Sequence, residues 1–480
     1  MVFNSIHYAI FFVLVTILYF LFPSKNRWKI LLTASVYFYA TFENRFFILL
    51  AFSIVSSYYF AIESNKTLNE SRKKMFLHLT VWSNLLVICV FKYFNFFIPS
   101  IAASLSDIGL NFPSTFFKFA IPIGISFYTF QIIGYALDVH YGTTEPERNL
   151  GKYSLYMLFF PKMVAGPIEQ SNNLLAQINK EHHFDYDRVT SGIKLFAWGL
   201  FKKVCIADRL YYFGSQVIEN PSENTGLKAI VGFYFLFIQM YADFSGYTDM
   251  AVGASRIFGY DLVKNFNRPM ISQSVTEFWK RYHMSLYHWF IEYIYNPLSF
   301  YLRGWKKYGI IASILITFTL SGLWHGATMP FVIYGLCQAI AIIIEYVTVP
   351  FREKLKQKMS PLLYKYVAIF ITFHFVLFSE IFFYTDSISE AFNFVKSFSL
   401  VEKSQFGFYL FAEKSLEFKL AFVSIAILVL AEYWQGKTDN YLSFHKSWPA
   451  PVRWAVYSIF IIVIVFFAIL RTSEFEYAQF

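Results

Sequence analysis

Charge is what this sequence has least of. Asp, Glu, Lys and Arg make up 15% of its 480 residues, where a soluble protein carries roughly 25%. That excludes an ordinary globular enzyme with a solvated surface. Cysteine is nearly absent too: Cys89, Cys205 and Cys337 are scattered, each in or beside an apolar run. Without a CxxC pair, neither a disulfide framework nor a zinc site is indicated. Familiar catalytic signatures are also missing. No GxSxG elbow, P-loop, GxGxxG or HExxH occurs, which removes the common hydrolase, nucleotide-binding and metalloprotease templates. There is no fixed-period repeat, no low-complexity linker and no stretch polar enough for a soluble domain.

What is present is apolar. Hydrophobic residues make up 56% of the chain, and Phe, Tyr and Trp alone 22%. A spanning helix needs roughly 20 mostly apolar residues, and such runs recur from end to end. Candidate spans are 6–22, 28–42, 46–62, 75–97, 116–139, 230–247, 310–323, 330–347, 363–384, 419–434 and 454–470. The sequence therefore predicts an all-α polytopic membrane protein, a single integral domain over 1–480, with about eleven or more transmembrane helices plus interfacial and re-entrant ones. Between about 140 and 310 the apolar pieces are short and broken by Pro, Gly and charge, as in "LFFPKMVAGPIEQ" and "IKLFAWGLFKKVCIADR". Interrupted backbone at membrane depth is tolerated only where protein buries it or a wet cavity receives it; other pieces suit amphipathic helices at the interface.

The formal charge of +10 does not indicate a nucleic-acid surface, because the bases lie in short loop clusters. That spread follows the positive-inside bias of membrane proteins. The start has no basic stretch before its apolar run, and Lys25, Arg27 and Lys29 follow it. This reads as a retained first helix with its N-terminus outside. Loop 63–74 ends in Arg72-Lys73-Lys74, loop 98–115 holds only Asp107, and "FREKLKQKMSPLLYK" (351–365) is strongly basic and cytoplasmic. Segment 385–418 is then outside, and a loop with Lys437, Lys446 and Arg453 leaves the C-terminus outside.

An ionised group at a helix centre costs about 2.5–3.5 kcal/mol on insertion scales, so polar residues inside apolar runs are informative. Asp243 and Asp249 lie in "FIQMYADFSGYTDMAVG" with no base nearby in the sequence. Two readings stand: a cap on a helix broken at "DFSG", or a polar wall of a substrate tunnel. In "NFNRPMISQSVTEFWKRYHMSLYHWF", Glu277, Lys280 and Arg281 share a helical face, and Ser274 with Glu277 reads as a capping box. Trp279, His283 and Leu286 fall on another face. This stretch is either an interfacial helix with snorkelling bases or a basic mouth for a phosphorylated donor. His325, in "SGLWHGATMPF", is flanked by Gly322 and Gly326, which permit a tight turn or close backbone approach. It is either a hydrogen-bonded structural residue or a general base, since a neutral imidazole can take a proton from a hydroxyl at neutral pH. His283, His288 and His325 lack the short spacing of zinc motifs, and no metal is expected.

Five motifs occur in order: "PIGISFYTFQIIGYALDVHYG", "FFPKMVAGPIE", "YADFSGYTDMAVG", "NFNRPMISQSVTEFWKRYHMSL" and "GLWHGA". With the ending "EFEYAQF", they make essentially the whole chain resemble the membrane-bound O-acyltransferase family. The branch is the bacterial one of alginate O-acetylation, peptidoglycan O-acetylation and D-alanyl-lipoteichoic-acid transfer proteins. The resemblance implies helices around a central funnel or tunnel with a histidine at its constriction. It maps the "WHG" histidine onto His325 and the second histidine, of "W-[RK]-x-H", onto His283, both then catalytic. Trp324, Lys280, Arg281, Glu277, Asp243 and Asp249 become the candidate substrate- or donor-binding residues. No bound cofactor is implied; acetyl-CoA, or an acyl-carrier thioester, is the donor substrate. The implied setting is the bilayer of a bacterial cytoplasmic membrane, with a periplasmic or surface acetyltransferase as partner. The D-alanyl members are typically shorter, so 480 residues and three late spans favour acetylation. A transporter or flippase with broken central helices is the alternative, although no inverted repeat is visible.

Overall fold

The computed structural model describes residues 1–42, 45–94, 97, 122–399, 411, 414–437 and 448–469, and no strand forms among them. Loop 98–115, Lys446 and the ending at 474–480 lie outside the described residues, as do parts of the expected spans 75–97 and 116–139 and of segment 385–418. Helices α1 (Ile6–Leu21), α2 (Arg27–Phe42), α3 (Phe47–Lys66) and α4 (Glu70–Ile88) open the chain, and α4 continues into a π-helical turn, Cys89–Tyr93. α5 (Ile125–Tyr141) and α6 (Leu150–Leu158) lead to α7 (Tyr186–Phe201), α8 (Asp208–Glu219) and the long α9 (Leu227–Phe258). Two short helices, α10 (Val275–Trp279) and α11 (Met284–Phe290), precede the hairpin of α12 (Lys307–His325) and α13 (Met329–Val347). Basic α14 (Val349–Lys358), then α15 (Pro361–Ser379), α16 (Ile388–Ser397), α17 (Ser415–Lys437) and α18 (Ala450–Phe467) complete it.

Each expected span holds a helix along most of its described residues, because a backbone in lipid must satisfy its own hydrogen bonds. Among the described residues, seven helices are long and apolar enough to cross a membrane, against the eleven expected, and α1 is a shorter apolar one. Burial separates two populations. α9 is buried along most of its length, whereas α18 exposes Ile459, Ile461, Val465 and Phe466. An apolar surface of that kind is at rest only against lipid.

α9 is the hub. At 1.5 Å per residue its 32 residues reach about 48 Å, more than the roughly 30 Å hydrocarbon core. It runs unbroken through Asp243–Gly246, so the reading that breaks the helix at "DFSG" does not hold. The reason lies in its neighbours. α7 crosses α9 where Gly199 meets Gly246: a Cβ on Gly246 would stand 2.8 Å from the Gly199 carbonyl oxygen. Such backbone contact is how membrane helices gain packing without a hydrophobic driving force. The piece "IKLFAWGLFKKVCIADR" is likewise no surface helix, since α7 packs on α9 and residues 202–209 are all buried. Arg209 joins the late helices to this belt through Glu417 of α17 (2.9 Å) and the Phe467 carbonyl of α18 (2.9 Å).

The irregular segment after α6 is buried in protein, with Phe159, Phe160 and Ala165 at 0% exposure. Two of its amides are satisfied by side chains from elsewhere: Phe160 N–H donates to Ser35 Oγ (3.0 Å) and Ile168 N–H to Ser285 Oγ (3.0 Å).

Candidate active site

The tip of the α12–α13 hairpin carries His325. The two helices touch at Gly322 and Gly335, where a Cβ on either would collide with a carbonyl of the other helix. His325 is the last residue of α12, and Gly326 then leaves in extended conformation (φ −170°). Glycine is needed at 326 for room rather than for its backbone angle, because a Cβ there would enter the Phe331 ring. The imidazole is 5% exposed. Trp324 lies edge-on to it at 4.6 Å, with Phe383 at 5.1 Å, Tyr334 at 6.2 Å and Phe331 at 6.4 Å between ring centroids.

His283 reaches the same place from a different construction. The helix expected to carry Glu277, Lys280 and Arg281 on one face ends at Trp279, and His283 sits between α10 and α11 with φ +46° and ψ +51°. Left-handed backbone costs a side-chain-bearing residue about 1–2 kcal/mol. Hydrogen bonds from Asn265 and Asn267 offset it across the break. Asn265 accepts from Met284 N–H (2.9 Å) through its carbonyl and from Ser285 N–H (3.1 Å) through its side chain, and Asn267 N–H donates to the Arg281 carbonyl (2.8 Å). His283 is 1% exposed. Phe244 of α9 stands edge-on at 4.7 Å and Trp324 at 6.1 Å. The Trp324 indole thus touches both imidazoles, and it stacks on Phe130 at 5.5 Å.

The charged candidates divide differently. Asp243 is 0% exposed and pairs with Lys203 at 2.5 Å; the same ammonium reaches Asp208 at 3.0 Å. Asp249 pairs with Lys202 at 2.7 Å, and Lys202 also donates to Ser245 Oγ (2.9 Å). The bases that looked absent beside these aspartates come from the turn after α7. Both carboxylates are counter-ions, and Asp243 meets the histidines only through its neighbour Phe244. Ser274 caps α10 as expected, accepting from Glu277 N–H (3.0 Å), while the Glu277 carboxylate takes Gln273 N–H (2.9 Å) and pairs with Arg281 (2.7 Å). Lys280 and His288 are exposed.

A shallow crevice between α10, α11 and α12 is lined by Trp279, Leu286, Phe290, Thr317, Phe318 and Ser321 among others; neither His283 nor His325 lines it. Sequence reasoning missed Lys92, Tyr93, Tyr334 and Glu380. Lys92 donates to the Trp324 carbonyl, and Tyr334 to Glu380 at 3.2 Å. For Lys92 a signal existed: it is a lone base inside the apolar "VICVFKYF".

Residues 147–385, which hold both histidines, Trp324, the lysine–aspartate belt and the crevice, match the membrane-bound O-acyltransferase family. A probable alginate O-acetylase of Azotobacter vinelandii is 36% identical over 347 residues, 72% of this chain and 68% of its own. The chain belongs to the membrane-bound O-acyltransferase family. It is an O-acyltransferase and a multi-pass membrane protein. The peptidoglycan O-acetyltransferase of Helicobacter pylori is 29% identical over 404 residues (78% of this chain, 73% of that one). The teichoic acid D-alanyltransferase of Bacillus subtilis is 30% identical over 263 residues (53% and 67%).

Proposed function

We propose that this O-acyltransferase moves an acetyl group from a cytoplasmic thioester, acetyl-CoA, to a hydroxyl of a cell-envelope polysaccharide or of a periplasmic or surface partner protein. The observation that carries the reading is the convergence of His325 and His283 on one buried indole. His325 takes the proton from the acceptor hydroxyl as its oxygen attacks the thioester carbonyl. The tetrahedral oxyanion is met by a donor from the Gly326 turn or from His283. Collapse breaks the carbon–sulfur bond, and the departing thiolate recovers the proton from the imidazolium. Lys280, exposed, and Arg281 are placed toward the phosphates of the donor; Trp324 and the paired Glu277, Asp243 and Asp249 shape the surroundings.

The membrane is the bacterial cytoplasmic one, with both termini outside. In that orientation basic α14 is cytoplasmic, and the His325 turn lies at the opposite end of its hairpin. The thioester therefore travels inward to meet an acceptor arriving from the far side. Acetyl is favoured over D-alanyl because similarity to the O-acetylases runs over 72–78% of this chain, against 53% for the D-alanyltransferase. In membrane vesicles given acetyl-CoA, the parent labels envelope polysaccharide, and His325→Ala accumulates normally but transfers nothing. Undiminished transfer by His325→Ala refutes the assignment. Transfer only from a D-alanyl carrier protein selects the second reading.

A further inference from the structure

The last turn of α12 is held from outside the hairpin. Leu323 and Trp324 lie so close to the end of the helix that the amides four residues on, at 327 and 328, are no longer helical. Their carbonyls are taken instead by two consecutive residues of the π-helical turn that ends α4. The Tyr93 hydroxyl donates to Leu323 O (2.7 Å), and the Lys92 ammonium donates to Trp324 O. The same ammonium stands 5.5 Å from the centre of the Trp324 ring. Lys92 is 9% exposed, so a lysine amine has been placed inside apolar surroundings one peptide unit from His325.

A hydroxyl is enough to satisfy a helix-end carbonyl, as Tyr93 does next door. An ammonium costs more to bury there, and it adds what a hydroxyl does not. A positive charge is favoured at the negative end of the α12 dipole and over an indole face, so carbonyl and ring are held together. Trp324 is also the residue that touches both histidines. We infer that Lys92 is a positioning residue for the reaction: its ammonium clamps the Trp324 carbonyl and indole, and so fixes the His325 imidazole against its acceptor. The inference rests on His325 being the base.

The test compares the full-length parent with Lys92→Met, Lys92→Gln, Lys92→Arg and His325→Ala in membrane vesicles, with acetyl-CoA as donor and endogenous envelope polysaccharide as acceptor. Lys92→Met accumulates and melts like the parent, while kcat falls about tenfold or more and the KM for acetyl-CoA stays within about twofold, since misplacement of a catalytic group is felt in kcat. Lys92→Arg, which keeps the charge, recovers most of the rate. Should Lys92→Met fail to accumulate, Lys92→Gln decides: it can still donate to the carbonyl but lacks the charge, and it shows the same kcat loss. Parental kcat in the neutral variants, with His325→Ala inactive, overturns the clamp and leaves the base assignment standing. A melting temperature lowered equally in all three Lys92 variants, with no rescue by Arg, overturns it as well. Activity in His325→Ala removes the base assignment and the clamp together.

Discussion

At the scale of single residues, buried charge is the sharpest feature of this protein. Lys203 serves two carboxylates, Asp208 and Asp243, with both partners and itself 3% exposed or less. Breaking such a set by removing one member leaves charge uncompensated, which costs about 3–5 kcal/mol. Lys203→Met takes the shared ammonium from two carboxylates, whereas Asp243→Asn leaves Lys203 still paired with Asp208. Thermal unfolding of the detergent-solubilised protein is therefore expected to show the larger loss for Lys203→Met. Equal losses would mean that the two ion pairs do not share the ammonium. Phe244, the residue after Asp243, stands edge-on to the His283 ring.

At the scale of elements, the helices are held by close backbone approach as much as by side-chain packing. Gly246 lies against the Gly199 carbonyl, whereas a Cβ on Gly304 would meet nothing within 4 Å. Gly246→Ala is expected to lower the yield of monodisperse protein, and Gly304→Ala to leave it at the parental level; size-exclusion chromatography of both reads the difference. The short α10 is held differently. Glu345 of α13 accepts from Val275 N–H (2.5 Å), Thr276 N–H (3.0 Å) and Thr276 Oγ (2.6 Å), and Gln338 accepts from Trp279 Nε1 (3.2 Å). α13 therefore carries one end of the segment that presents His283. Its hairpin partner carries His325. The two histidines, far apart in the chain, share one scaffold.

At the scale of the whole molecule, the distribution of charge sets which face meets the cytoplasm. α14 carries Arg352, Lys354, Lys356 and Lys358, and Lys354, Lys356 and Lys358 are exposed. After replacement of the three native cysteines, Lys356→Cys is expected to react with a membrane-impermeant maleimide only in inverted vesicles. Ser387→Cys, in the segment expected outside, is expected to react only in intact cells or spheroplasts. The opposite pattern would reverse the direction of acyl transfer across the membrane.

The sequence by itself determined the class, and it offered candidates for the site. Scarce charge and recurrent continuous apolar runs left a helical membrane protein, since a spanning helix needs roughly 20 apolar residues whereas a barrel strand is about 10 residues of alternating pattern. The resemblance of "GLWHGA" and "WKRYH" to family motifs offered His325 and His283 as candidates. Spacing along a chain does not report what comes from another helix, and there the tertiary structure decided. It decided against a helix break at Asp243, one of the two readings left open, because lysines from the turn after α7 neutralise the carboxylates and Gly199 admits the backbone. It broke the helix expected through His283, because Asn265 and Asn267 take over the hydrogen bonds of that turn. It also brought Lys92 to the Trp324 carbonyl, a contact between residues more than two hundred positions apart that only packing makes.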